Sequence, residues 1–154
     1  MDIIRAGYDQ LIRAPTKTIT FTGGAGAGAV GNVTVWTISG RVLLVSMPPA
    51  FCTTLLTESG PTATVSLGTT TSTALIIAPT NSTLIDANEW WDSETDGAII
   101  EGSGVELLGA GGLTSGLAIS QNIVITCAVT NTNAGVLVFD GCWYRPLTSG
   151  ASLT

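Results

Sequence analysis

Residues 122–147, NIVITCAVTNTNAGVLVFDGCWYRPL, constrain the fold most, because their apolar positions recur at the spacing of a pleated strand. Ile123, Ile125, Cys127 and Val129 fall on one face of a first strand. A polar connection over residues 130–135 follows, with Asn and Gly to supply the positive φ that a reversal needs. Leu137, Phe139 and Trp143 then share one face of a second strand, with Gly141 between them. The expectation is a hairpin that closes a hydrophobic core, with Trp143 inside it.

The chain upstream is built from similar pieces. Residues 17–22 alternate cleanly, Ile19 and Phe21 on one face and threonines on the other, which reads as a half-buried strand. The Gly-rich run 23–31 reads as a flexible loop. Residues 32–38 (NVTVWTI) and 41–47 (RVLLVSM) read as strands joined by a Ser39-Gly40 hairpin turn, the second ended by Pro48-Pro49. Residues 62–67 and 72–78 form another expected pair around Gly68, followed by a turn at 79–82. Leu84, Ile85, Trp90 and Trp91 lie in the next segment, and Ile99-Ile100 begin a short strand. Residues 102–116 have no reliable period. Residues 117–119 lead into the closing hairpin. The expected fold is all-β, a jelly-roll-like β-sandwich of eight to ten short antiparallel strands over residues 16–148, with a tail at 149–154.

Residues 1–14 (MDIIRAGYDQLIRA) alone carry a helical rhythm, with Ile4, Tyr8, Leu11 and Ile12 at i, i+4, i+7 and i+8. Gly7 costs such a helix about 1 kcal/mol relative to alanine. Either a short helix or an extended arm that orders against a partner fits, and Pro15 ends it. Arg5 and Arg13 lie beside the apolar stripe. Ile4, Arg5, Tyr8, Leu11, Ile12 and Arg13 are therefore the candidate docking residues, the alternative being an arm that folds back to cap its own sandwich.

Only 10% of the 154 residues are charged while 45% are hydrophobic, so the chain has more apolar material than a monomer hides comfortably, and an oligomer is expected. Net charge is −6 with five Lys and Arg, which argues against nucleic acid as a partner. No histidine is present, which removes the commonest general base and zinc ligand. No segment is long and apolar enough for a membrane span or a signal peptide, so a cytosolic origin is expected. Cys52, Cys127 and Cys142 read as buried thiols in a reducing compartment, with a Cys127–Cys142 bridge as the alternative.

The motifs that carry chemistry fail on context. Gly26, Gly28 and Gly31 match a dinucleotide fingerprint, but strand-like NVTVW follows where a helix is required. Asp92, Glu94, Asp96 and Gly97 imitate a calcium loop, yet Ser103 stands where its bidentate Glu belongs. Asp86, Glu89 and Asp92 are expected as exposed acids in a polar turn, without the burial that tunes a catalytic carboxylate pair. No enzyme and no cofactor is expected. Adjacent Trp90 and Trp91 must point to opposite faces of a strand, one buried and the other available for an oligomer or partner contact, or for sugar stacking.

The order TKTITFTG, GAVGNVTVWTISG, TATVSLGT, EWWD and FDGCWYRPLT, spanning residues 16–148, resembles small virion proteins of tailed bacteriophages. That resemblance implies a head cement or decoration protein: a jelly-roll-like capsid-stabilising module on the virion surface. It would bind the major capsid protein, most readily as a homotrimer, and carry no catalytic residues. A tail, neck or fibre subunit, or a receptor- or glycan-binding module of the same fold, fits the same residues.

Overall fold

The computed structural model describes residues 11–24, 26–46, 50–58, 60–92 and 116–154, and the backbone of 99–100. Its strands in chain order are β1 (Ile12–Arg13), β2 (Lys17–Thr20), β3 (Gly31–Trp36), β4 (Ile38–Ser39), β5 (Val42–Leu44), β6 (Ala50–Glu58), β7 (Thr64–Thr69), β8 (Ile77–Asn81), β9 (Glu89–Trp91), β10 (Ile99–Ile100), β11 (Leu117–Ile119), β12 (Ile123–Ala128), β13 (Thr132–Phe139), β14 (Trp143–Pro146) and β15 (Ser152–Leu153). Among the described residues the only helical element is a 3-10 turn at Ser82–Leu84. Every strand pairing is antiparallel.

One sheet runs β10-β9-β6-β13-β2 and a second runs β3-β12-β7-β8. Strands that follow one another in sequence, β2 and β3, β6 and β7, β8 and β9, β12 and β13, sit in different sheets. Of the nine strands in these two sheets, the sequence neighbours that pair are β7 with β8 and β9 with the short β10. This is the strand order of a jelly roll, and it matches the all-β, jelly-roll-like sandwich expected from the sequence. Alternation gives each main sheet its buried face. Leu137, Phe139, Cys52, Ala50, Trp91 and Phe21 from the first sheet meet Ile123, Ile125, Cys127, Val65, Leu67 and Trp36 from the second in one buried cluster. Fully burying a side chain of this kind contributes about 1.5–3 kcal/mol. Trp36 and Phe139 interlock edge to face, with ring centroids 5.7 Å apart and planes at 76°.

The pairing expected for the closing stretch is corrected. β12 and β13 do not form a hairpin: β12 lies between β3 and β7, and β13 between β2 and β6. Period-two spacing assigns faces but does not choose partners. Ser39-Gly40 likewise joins no hairpin, since β4 pairs with β15 and β5 with β14 and β11. The β7–β8 turn falls at residues 70–76 rather than at Gly68, and Pro79 lies inside β8, an edge strand where its missing N–H is tolerated. The Gly-rich run is a closed turn: Thr22 N–H donates to the Ala27 carbonyl at 2.9 Å, and Gly24 and Gly28 bridge.

A third sheet, β1-β14-β5-β11, and the small β15-β4 pair complete the fold. The register sets Lys17, Phe139, Ala50 and Trp91 side by side at one end of the first main sheet. β1 enters β2 there, β14 leaves β13 and β5 enters β6, so the third sheet caps that end of the roll. Its inner face carries Ile12, Tyr144, Leu44 and Leu117 in one row and Pro146, Val42 and Ile119 in the next. Tyr144, Leu44, Val42 and Ile119 are buried, and Ile12 and Leu117 pack against them. Ile12 and Arg13 are thus strand, not the end of a helix, because pairing with Tyr144 and Trp143 satisfies backbone groups that β14 otherwise leaves unpaired. In this segment the arm does cap its own sandwich. Residues 151–154 are likewise integrated, with Ala151 and Leu153 buried and Thr154 exchanging backbone hydrogen bonds with Thr37.

Candidate contact surface

The same register that buries one face of the capping sheet fixes the composition of the other. Arg13 stands opposite Trp143, and Arg145 stands opposite Leu43, which in turn faces Ala118. Leu147 N–H donates to the Arg41 carbonyl at 2.8 Å and carries the β14–β5 register one pair further. The outer face is therefore built from Arg13, Trp143, Arg145, Leu43, Leu147 and Arg41. Trp143 is 38% exposed, Leu147 41% and Leu11, just before β1, 45%.

This corrects the expectation that Trp143 shares the core face of Leu137 and Phe139. The break at Asp140–Cys142 separates β13 from β14, and β14 restarts the alternation with Tyr144 inward. Trp143 is held firmly by its backbone. Its N–H donates to Ser46 Oγ at 2.9 Å, Ser46 Oγ donates to the Gly141 carbonyl at 2.9 Å, and its own carbonyl accepts from Val45 N–H at 2.8 Å.

Arg13 is fixed differently. Its guanidinium donates to Asp140 Oδ1 at 2.6 Å, and the Thr16 hydroxyl donates to the same oxygen at 3.0 Å. The Gly141 N–H, Thr16 and Arg13 together hold the Asp140 carboxyl below its ordinary range, with the backbone N–H the largest cause and partial desolvation opposing it. Among the described residues this is the only ion pair, which leaves Arg41 and Arg145 exposed without a carboxylate partner there.

Of the candidate docking residues named from sequence, Arg13 stands opposite Trp143 on the outer face and exposed Leu11 just precedes β1, whereas Ile12 pairs with Tyr144 and packs inward against the core, which corrects its place among the contact residues; Ile4, Arg5 and Tyr8 lie outside the described residues. Trp90 and Trp91 do take opposite faces of β9. Trp91 is fully buried and its indole N–H donates to Thr80 Oγ1 at 2.9 Å. Trp90 is half-buried on the outer face against Phe51, centroids 5.0 Å apart. The calcium-loop positions beyond Asp92 lie outside the described residues. Among the described residues no cluster of acidic, Cys or His groups is placed to hold a metal, and no helix is long and apolar enough to cross a membrane.

The opposite end of the roll carries a second feature that sequence reasoning missed. Asn131 ties two loops together: its Oδ1 accepts from Val30 N–H at 3.0 Å and its Nδ2 donates to the Gly23 carbonyl at 2.8 Å. Thr130 Oγ1 donates to the Pro61 carbonyl at 2.6 Å, adding a third loop. Val30 and Val129 project from this rim, and Val129 holds φ at +71° despite its branched Cβ.

The three cysteines are buried and free. Desolvation pushes the Cys142 thiol up to about 12 and Cys52 to about 11, and raises Cys127 as well. None has the electropositive, exposed setting of a reactive thiol. Compared with protein-family models, curated proteins and solved structures, the chain matches none.

Proposed function

We propose that this protein is a non-enzymatic structural component of a tailed-phage virion that attaches to the capsid lattice and reinforces it as a cement or decoration protein. The observation that carries the reading is the outer face of the capping sheet, where arginine, tryptophan and leucine stand exposed on a rigid, three-times-paired scaffold. Such composition marks protein–protein contact surfaces, where aromatic residues and Arg are enriched and Lys depleted. The residues that supply it, WYRPL at 143–147, belong to the segment that most resembles the phage virion proteins. The jelly roll supports the reading by analogy only, since the same architecture serves viral capsid, lectin and cupin domains. In this role the module is a homotrimer, and Leu11 and Arg13 contact the major capsid protein. Trp90 serves a contact between copies.

The test is to add purified protein to head particles that lack it and sediment the particles. Wild-type protein cosediments and raises the temperature at which the heads release DNA. Trp143→Asp, shown folded by its circular dichroism spectrum, binds at least about tenfold more weakly. Absence of wild-type binding to heads, with binding to tails or necks instead, overturns the capsid assignment.

A further inference from the structure

The five Lys and Arg residues are unevenly placed. Three of them, Arg13, Arg41 and Arg145, stand on the outer face of the capping sheet, in a chain whose net charge is −6. We propose that this face docks a carboxylate-rich, partly apolar segment of a partner protein, with the three guanidiniums reading carboxylates around an apolar centre of Leu43, Trp143 and Leu147. The inference rests on the attachment reading above and specifies the chemistry that the partner must present.

Three observations select that occupant. First, all three cations are Arg. A guanidinium offers a planar fork of donors that matches a carboxylate and is more weakly hydrated than an ammonium, so it suits a contact that loses water. Second, Arg41 and Arg145 are exposed and have no carboxylate partner among the described residues, so their full pairing capacity faces outward. Arg13, already oriented by Asp140, keeps further N–H donors for a second acceptor. Third, the apolar residues lie among the arginines rather than apart from them. An occupant of matching pattern alternates carboxylates with apolar side chains.

A phosphodiester chain fits less well. Counterion release rewards many contacts along a continuous basic track, and an acidic molecule repels a polyanion at longer range. Within this chain, Glu58 accepts from Ser82 and Ala63, Glu89 accepts from the Asp86 N–H, and Asp140 serves Arg13, so these three carboxylates are engaged internally and are not what the face would read.

The experiment uses the full-length protein labelled with ¹⁵N and follows the Arg Nε–H and Trp indole N–H signals. The probes are a random Glu/Tyr copolymer, poly-L-glutamate and oligo-dT. Expected is saturable binding of the Glu/Tyr copolymer with shifts at Trp143 and the three arginines, tighter than poly-L-glutamate and oligo-dT. Arg145→Glu weakens it by about tenfold or more, while Arg145→Lys, which keeps the charge, loses less. Well-dispersed spectra of both variants confirm the fold. No binding overturns the proposal, as do equal binding of oligo-dT and copolymer shifts that miss the capping sheet. Head-particle sedimentation separates the two readings. If Arg145→Glu still binds heads as wild type does, this inference fails and attachment stands. If the copolymer binds this face but no head particle does, attachment fails and the face stands.

Discussion

The indole N–H of Trp36 donates to the Pro15 carbonyl at 2.8 Å and so pins the segment between β1 and β2 to the end of β3. Trp36 is fully buried, and Pro15 sits where the chain passes from the capping sheet into the roll. Trp36→Phe retains most of the ring volume but leaves the Pro15 carbonyl without its donor. The expected loss is about 1–3 kcal/mol, read from urea denaturation with an unchanged m-value.

Asp140 gives the capping sheet a dependence on acid. Its carboxyl is held below the ordinary value in the folded state, so its contribution is complete above about pH 4. That contribution disappears as pH falls through the lowered folded value. Asp140→Asn removes this part of the acid sensitivity. The two side chains of the Arg13–Asp140 pair are 52% and 40% exposed, so the ion pair itself adds little and the loss stays small. Thermal melts of both proteins between pH 2 and pH 5, roughly bracketing the carboxylate range, measure it.

The thiols act at the other end of the scale. Because burial raises their folded values, their contribution is complete below about pH 8.5 and is lost as pH climbs toward about 12 at Cys142. Cys142→Ala flattens the alkaline fall in stability. Iodoacetamide at neutral pH leaves the native protein unmodified and labels all three cysteines once denaturant is added.

Gly28 is the glycine that the loop rim cannot replace. Its φ is +104°, and a Cβ there meets the Thr132 carbonyl oxygen at 2.2 Å. Gly26 has a similar φ of +120° but open space around it. Gly28→Ala is expected to cost about 3 kcal/mol or more and Gly26→Ala about 1 kcal/mol, compared by chemical denaturation.

Period-two apolar spacing made the fold class legible, and Ile19, Phe21, Ile123, Ile125, Leu137 and Phe139 sit inward as their spacing requires. Partner choice was not legible, because nothing local distinguishes a strand that turns back from one that crosses to the other sheet. β6 was missed altogether. Its AFCTTLLTE interrupts alternation with a bulge where Val136 and Leu137 pair with Thr54 and Cys52, leaving Leu55 exposed and Leu56 buried. The contact face was half visible: Arg13 and Leu11 stood out beside an apolar stripe, but Trp143 read as core. Only the restart of alternation after Gly141 turns it outward, and that depends on long-range pairing with β1 and β5.

The place of β13 has a consequence for synthesis. Leu137 is the cross-strand neighbour of both Ile19 and Cys52, so β2 and β6 are joined only through β13, a strand made long after either of them. Until residues near 139 leave the ribosome, β2 has no partner and the open edge of β6 stays unpaired. All the strands from β2 to β13 must therefore be present before the roll can close, and loop-closure entropy makes that step slow. A nascent chain of this kind grows with strand edges uncovered, which makes chaperone protection during translation most valuable until β13 has emerged.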